Sequence, residues 1–330
     1  MILVTGGAGF IGSCLVQELN NQGERDILIL DNLGKGDHWK NLRELKFTDY
    51  IDVAHYEDNE EKLWSKLKSF NLKVIFHLGA CSSTTETDLS FLMKNNYEFS
   101  KQMSMLAQEK EIPFIYASSG ATYGNGENGY SDDHEAIEKL VPLNGYGYSK
   151  HLFDLWMLKR KNQEIPRHWY GLKFFNVYGP FENHKGSMIS VVNQAFYSIK
   201  KEGTFRLFKS HRKDYKDGEQ LRDFIYVGDV VKAMICFSKE SSQMIKSGIY
   251  NLGTGQERTF NDLVLATFKS MQREPKIEYR EMPAHLINQY QYYTKAEMKK
   301  FKAAFPHFNF STLEEGVEKY VTFLLAREED

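Results

Sequence analysis

Tyr146 and Lys150 stand four residues apart in Tyr146-Gly147-Tyr148-Ser149-Lys150, at the head of a stretch whose apolar residues Leu152, Leu155, Trp156 and Leu158 suit a helix. Residues i and i+4 of a helix share a face, so phenol and ammonium can address one ligand together. A phenol titrates near about 10 and is a weak base at neutrality, but a neighbouring ammonium favours phenolate. Tyr146 can then take a proton from a hydroxyl and return it. The same spacing also describes a plain helix-surface pair. Upstream, Ser118-Ser119 close the apolar run Phe114-Ile115-Tyr116-Ala117. A serine there can bond a reacting oxygen and polarise a developing carbonyl, or simply cap its own backbone.

A second constellation stands at the start of the chain. Thr5-Gly6-Gly7-Ala8-Gly9-Phe10-Ile11-Gly12 follows the apolar run Met1-Ile2-Leu3-Val4 and opens an amphipathic stretch to about Asn20. Gly6 suits a tight turn, Gly9 lets backbone N–H groups approach a pyrophosphate, and Gly12 permits close helix–strand packing, with Phe10 and Ile11 beside the ligand. Asp31 ends the next apolar run, Asp26–Asp31, at the distance where a carboxylate meets an adenosine ribose. A nicotinamide dinucleotide is the expected cofactor, its positive ring a further reason for Tyr146 to ionise. Asp31 favours NAD, whereas Asn32, Lys35, His38 and Lys40 suit the 2′-phosphate of NADP. The sequence leans to NADP, with NAD the alternative. Leu78-Gly79-Ala80-Cys81-Ser82 ends a third apolar run and is placed to line the cofactor; Asn95 is a cofactor contact or a surface asparagine.

These residues need a frame. Apolar runs at 1–4, 26–31, 74–78, 114–118 and about 169–175 are continuous rather than alternating, with helical stretches between. That pattern predicts an α/β fold, a doubly wound parallel (Rossmann) sheet covered on both faces. The dinucleotide-binding domain is expected over 1–174 plus about 222–250. A smaller, mixed α/β substrate-binding domain is expected over about 175–221 plus 251–330, with some segments returning to the sheet. Near the end, Ser311 and Glu314 read as a capping box for a helix to about Arg327. The 42 basic and 44 acidic residues leave a net charge of −2, which gives no general attraction to nucleic acid or anionic membrane. Cys14, Cys81 and Cys236 form no C-x-x-C pair and read as reduced thiols. No apolar run approaches the length of a membrane span, and the chain starts on a strand-like run rather than a leader; a cytoplasmic setting without a metal is the expectation.

Taken in order, TGGAGFIG (5–12), SSGATYG (118–124), YGYSK (146–150), FNVYGP (175–180) and RDFIYVGDV (222–230) resemble the extended short-chain dehydrogenase/reductase family over nearly the whole chain. The resemblance implies a transient oxidation and reduction of a nucleotide sugar. Dehydratases of that family carry Asp-Glu just after the catalytic serine; here Gly120 and Ala121 stand there and cannot move protons. GACSSTTE (79–86), NNYEFSK (95–101) and FNVYGPFENHKGSM (175–188) resemble its ADP-heptose 6-epimerase subgroup. By spacing alone Lys185 is a loop lysine. The resemblance makes it a second acid–base beside Tyr146, Ser119 and Lys150, and a cofactor contact with Val177. A lysine suits that work where desolvation or a nearby cation lowers its pKa. The resemblance also implies an ADP-heptose substrate touching Asn176, Ser187, Gln194, Phe208, Lys209, Ser210, His211, Arg222 and Tyr290, and a homo-oligomer, a pentamer in this subgroup. Lys209 and His211 read otherwise as a solvated loop, Tyr290 as a packing aromatic. The 209–221 loop is longer than the family's pattern, and Val53 stands where members can have a lysine. Rival readings are a UDP-hexose 4-epimerase, where the turning ring makes one base sufficient, and a non-catalytic NAD(P)-binding protein.

Overall fold

The computed structural model describes residues 1–160, 164–239, 244–283, 287 and 290–327. Its first half alternates strand and helix: β1 (Ile2–Thr5), α1 (Phe10–Asn21), β2 (Ile27–Asp31), β3 (Asp49–Asp52), α2 (Glu60–Ser69), β4 (Val74–His77), α3 (Leu89–Leu92), α4 (Phe99–Glu109), β5 (Phe114–Ser119), α5 (His134–Ile137), α6 (Gly145–Lys159) and β6 (Trp169–Phe174). The second half adds β7 (Asn176–Tyr178), α7 (Val191–Glu202), β8 (Phe205–Phe208), β9 (Leu221–Tyr226), α8 (Val227–Ser238), β10 (Gly248–Leu252), β11 (Glu257–Thr259), α9 (Phe260–Ser270), β12 (Ile277–Arg280), α10 (Lys299–Ala304) and α11 (Leu313–Ala326).

Seven strands form one sheet in the order β10-β6-β5-β4-β1-β2-β3, every pair parallel. The doubly wound expectation is met, and the order reverses beside β1. Successive side chains of a strand point to opposite faces. Val4, Ile29, Phe76 and Ile115 therefore enter one core with α1 and α8, while Leu3, Leu28, Ile75 and Phe114 enter another with α4 and α6. Burial on both faces is why these strands read as unbroken apolar runs. The edge strand β3, Asp49-Tyr50-Ile51-Asp52, offers only one fully buried side chain and left no such run.

Beyond β6 the chain builds two small sheets, β11-β9-β7 and β12-β8, and sends β10 back to the main sheet beside β6. Strand β9 pairs with β7 and β11, whereas α8 packs on α1. The capping box lies one residue later than expected: Thr312 and Glu315 close it reciprocally. Ser311 instead donates its backbone N–H to Asp229 at 2.7 Å, which ties α11 to α8. Among the described residues no helix is long and apolar enough to cross a membrane.

Candidate active site

The parallel sheet presents the carboxyl ends of its strands to one continuous cavity of about 1310 Å³, reaching from the β2 end to β9. Open α/β sheets bind ligands at this position, beside the point where strand order reverses. At its floor Gly6 takes φ +68°, where a side chain would be strained. A Cβ on Gly12 would stand 2.0 Å from the Gly6 carbonyl oxygen, so the helix can start this close to the strand only with glycine there. Gly9 caps α1 with no side-chain hydrogen bond, leaving the first N–H groups of the helix directed at the cavity. That cradle fits a dinucleotide pyrophosphate. Phe10 and Ile11 line it as well.

Asp31 ends β2 with both carboxylate oxygens engaged, one by Ala8 N–H and the other by Asn32 N–H, each at 2.7 Å. Burial raises its pKa while those bonds pull it down. Asn32, Lys35, His38 and Val53 share this end of the cavity; Lys40 pairs with Asp37 outside the lining. On the opposite wall Leu78 to Ser82 follow β4. Thr5 Oγ1 accepts from Leu78 and Gly79 N–H at 3.1 and 2.9 Å and so must donate to His77 Nδ1 at 2.8 Å. His77 then donates through Nε2 to Ser100, a chain that needs a neutral ring; burial pushes its pKa down to about 3.

One residue of this wall escaped sequence reasoning. Asn96, fully buried, accepts from Cys81 N–H at 2.8 Å and donates to Cys81 O at 2.9 Å and Ser149 Oγ at 3.0 Å. It fastens the loop after β4 to the helix carrying Tyr146. Asn95 faces the cavity and donates to Phe91 O. The π-helical turn Met93–Glu98 sends the adjacent asparagines in these different directions. The Asn-Asn doublet was the only signal for it.

Tyr146, Lys150 and Ser119 meet at the β5 end of the cavity. Tyr146 and Lys150 lie one turn apart on α6, whose N-terminus Asn144 caps. Burial pushes the Tyr146 phenol's pKa up, and Ser119 beside it draws it back. In this site burial outweighs the expected lowering. Lys150 Nζ donates to Ala117 O at 2.9 Å, and burial pushes its pKa down to about 8 against the opposing pull of Asp154. After Ser119 the chain turns through the 3-10 helix Gly120–Tyr123, where Ser119 Oγ accepts from Ala121 N–H at 3.1 Å. The Ala121 carbonyl oxygen lies 2.8 Å from where a Cβ on Gly147 would stand, which presses this turn onto α6.

Beneath the pair lies a buried ionic cluster that the apolar pattern of α6 and β6 concealed. Lys173 Nζ lies 2.6 Å from Asp154 Oδ2, both side chains wholly buried. Asp154 also accepts from Tyr116 and Ser118, and Lys173 donates to Thr122. One carboxylate thus joins α6, β5 and β6. Asp154→Leu strands the Lys173 ammonium and should cost about 3–5 kcal/mol in urea unfolding, whereas Asp154→Leu combined with Lys173→Met should recover much of it.

The opposite side of the cavity is the loop from β7 to α7. Asn176, Val177, Lys185 and Ser187 line it. Lys185 Nζ lies 3.4 Å from Glu182 and 4.8 Å from the centroid of the Phe10 ring. The surroundings expected for this lysine, desolvation or a nearby cation, are replaced by a partly exposed side chain facing a carboxylate. Glu182 is itself fully buried and accepts from Ser190 N–H at 2.9 Å and from Ser190 Oγ.

At the far end Arg222 is 5% exposed, bonded to the Leu221 and Gln291 carbonyls and stacked on Tyr290 and Phe260. Among the described residues no carboxylate pairs with it; a buried guanidinium so placed suits an anion. Tyr290 and Arg222 line the cavity. Gln194, Phe208, Lys209, Ser210 and His211 do not. Gln194 is exposed and donates to Ile189 O; Arg280 stacks on Phe208. Lys209 pairs with Glu281, Ser210 N–H bonds Asp217, and His211 N–H donates to Tyr292. The long loop folds on its own carboxylates and aromatics, away from the cavity wall. Among the described residues no His, Cys, Asp and Glu cluster could hold a metal.

Residues 2–253 match the NAD dependent epimerase/dehydratase family. A Fusobacterium nucleatum protein named ADP-L-glycero-D-manno-heptose-6-epimerase is 48% identical, over 100% of this chain and 99% of its own length. One of the same name from Nitratidesulfovibrio vulgaris is 46% identical over 99% and 98%. Among solved structures, the Helicobacter pylori ADP-L-glycero-D-manno-heptose-6-epimerase superposes with a TM-score of 0.80 at 29% identity, over 98% of this chain and 96% of that one. The Thermus thermophilus UDP-glucose 4-epimerase complex with NAD shares the fold, with a TM-score of 0.75 at 24% identity, over 97% of each chain.

Proposed function

The chain belongs to the NAD dependent epimerase/dehydratase family, and we propose that it inverts C6″ of ADP-D-glycero-β-D-manno-heptose to give ADP-L-glycero-β-D-manno-heptose, a precursor of the lipopolysaccharide core. The observation that carries this reading is that Tyr146 and Lys185 line one cavity from separate elements, α6 and the β7–α7 loop.

Inverting an exocyclic alcohol presents its oxygen in two directions, before and after the C5–C6 bond rotates. One proton-handling group per direction meets that need. Tyr146, supported by Lys150 and with Ser119 beside it, takes the hydroxyl proton in one orientation, and Ser119 polarises the carbonyl oxygen that results. Lys185 serves the other orientation, its ammonium donating to the oxygen on reduction. Arg222, with Tyr290 and Phe260 beside it, grips the diphosphate. A nicotinamide bound along the glycine turn supplies the reversible hydride acceptor, and Gly6, Gly9, Asp31, Cys81, Asn95 and Lys150 hold it. NADP is the form favoured: Asp31 already accepts two backbone hydrogen bonds, and Lys35 and His38 stand beside it as cationic or donor groups for a 2′-phosphate. The enzyme works in the cytoplasm as a homo-oligomer, a pentamer by its resemblance.

The test is incubation of the purified chain with ADP-D-glycero-D-manno-heptose and assignment of C6″ by NMR. Appearance of the L-glycero epimer is expected. Unchanged heptose together with interconversion of UDP-glucose and UDP-galactose would overturn the reading.

A further inference from the structure

We infer that Asn41 is a positioning residue for Lys185, fastening the loop that carries this lysine to the turn that receives the dinucleotide. The inference rests on the role proposed above for Lys185. Asn41 lies in the 3-10 turn His38–Leu42 that follows β2, and it is 8% exposed. Its side-chain amide Nδ2 donates to the Ala8 carbonyl at 3.0 Å, inside the glycine turn. The same nitrogen donates to the Phe181 carbonyl at 3.2 Å and lies 3.3 Å from His184 Nδ1. Two protons shared among three acceptors join the floor of the cofactor cradle to two points of the loop, one on each side of Glu182.

The loop is shaped to meet that amide. Phe181 is buried at φ +69°, a region that residues with side chains seldom occupy and keep only where the surroundings enforce it. For His184 to receive the amide its Nδ1 must be bare; burial and the nearby His38 and Lys185 push its pKa down to about 4, so the ring stays neutral at pH 7. Cys14 Sγ adds a weak bond to Pro180 O at 3.4 Å. Lys185 follows directly, its ammonium between Glu182 of its own loop and the Phe10 ring of the cofactor helix. Its placement against the substrate is therefore set from the glycine turn, and Asn41 is the polar tie that crosses the gap. A displacement of about 1 Å in a reacting group can cost on the order of 10²-fold in rate.

The experiment uses the full chain loaded with NADP and compares Asn41→Ala, Lys185→Met and the double variant. Asn41→Ala should lower kcat by about 10- to 100-fold with little change in KM. It should also speed amide exchange at residues 181–188, and the double variant should be no slower than Lys185→Met alone, as expected for residues acting through one another. In the unaltered chain stripped of cofactor, restoring NADP should slow exchange at 181–188; in Asn41→Ala that effect should be lost. Losses that multiply in the double variant, or exchange at 181–188 that is unchanged, overturn the inference while leaving Lys185 catalytic. A Lys185→Met chain with full kcat overturns the role of Lys185 itself, and the inference with it. If Asn41→Ala fails to fold, His184→Ala keeps the Asn41–Ala8 bond and is judged by the same kcat and exchange criteria.

Discussion

Tyr146→Phe should lower kcat by about 10²- to 10⁴-fold, the range expected when a general acid–base is removed. The loss should fall on kcat with KM and cofactor affinity nearly unchanged, because the ring keeps its place on α6 and only the hydroxyl is deleted. Stopped turnover with retained nicotinamide, read by the absorbance of the bound ring, checks this. The pH profile carries a linked expectation. Burial pushes Lys150 down to about 8, so its ammonium is present below that pH and fades above it. Since the ammonium is what favours the Tyr146 phenolate, kcat/KM of the unaltered enzyme should decline as pH rises through about 8. A plateau from pH 7 to 10 would remove Lys150 from this role.

Lys185→Met should cripple turnover to a similar degree while leaving the fold intact. Glu182 loses its ammonium partner but keeps two donors from Ser190, so no carboxylate is stranded. The lysine is 22% exposed and its ion pair measures 3.4 Å, but its carboxylate partner is fully buried, so a modest loss of stability accompanies the change. A melting temperature within a few degrees of the parent, with kcat down about 10²-fold or more, is the expected pair of results. A 4-epimerase that turns the whole sugar ring over manages with one base, so full activity in this variant would favour that chemistry.

Much of the frame was legible because chemistry and periodicity coincide in it. The buried strands of a doubly wound sheet have to be apolar throughout, and the glycine turn, Asp31 and Y-x-x-x-K each fall at the end of a strand or the head of a helix. The role read for Lys185 came only from resemblance; alone, a lysine in a polar loop has no period to mark it. What stayed hidden was polarity inside the core. Asp154 and Lys173 interrupt otherwise apolar elements and Asn96 sits in a mostly polar turn, and sequence pattern does not say which polar residue turns inward to find a partner. The 209–221 loop carried two readings, nucleotide contacts or a solvated loop. In the structure Lys209 pairs with Glu281 and Arg212 with Asp214, while the Ser210 and His211 N–H groups bond Asp217 and Tyr292.

Gly120 and Ala121 carry a consequence for fidelity. A ketone beside sugar hydroxyls is an activated species, and any carboxylate within reach of its α-hydrogen would invite loss of water. The turn that presses on α6 offers only Gly120 and the Ala121 methyl at these two positions, and neither can move a proton from the short-lived carbonyl compound. With no acid–base group at this turn, the carbonyl compound is handed back as one epimer or the other rather than drawn from here into dead-end unsaturated sugar.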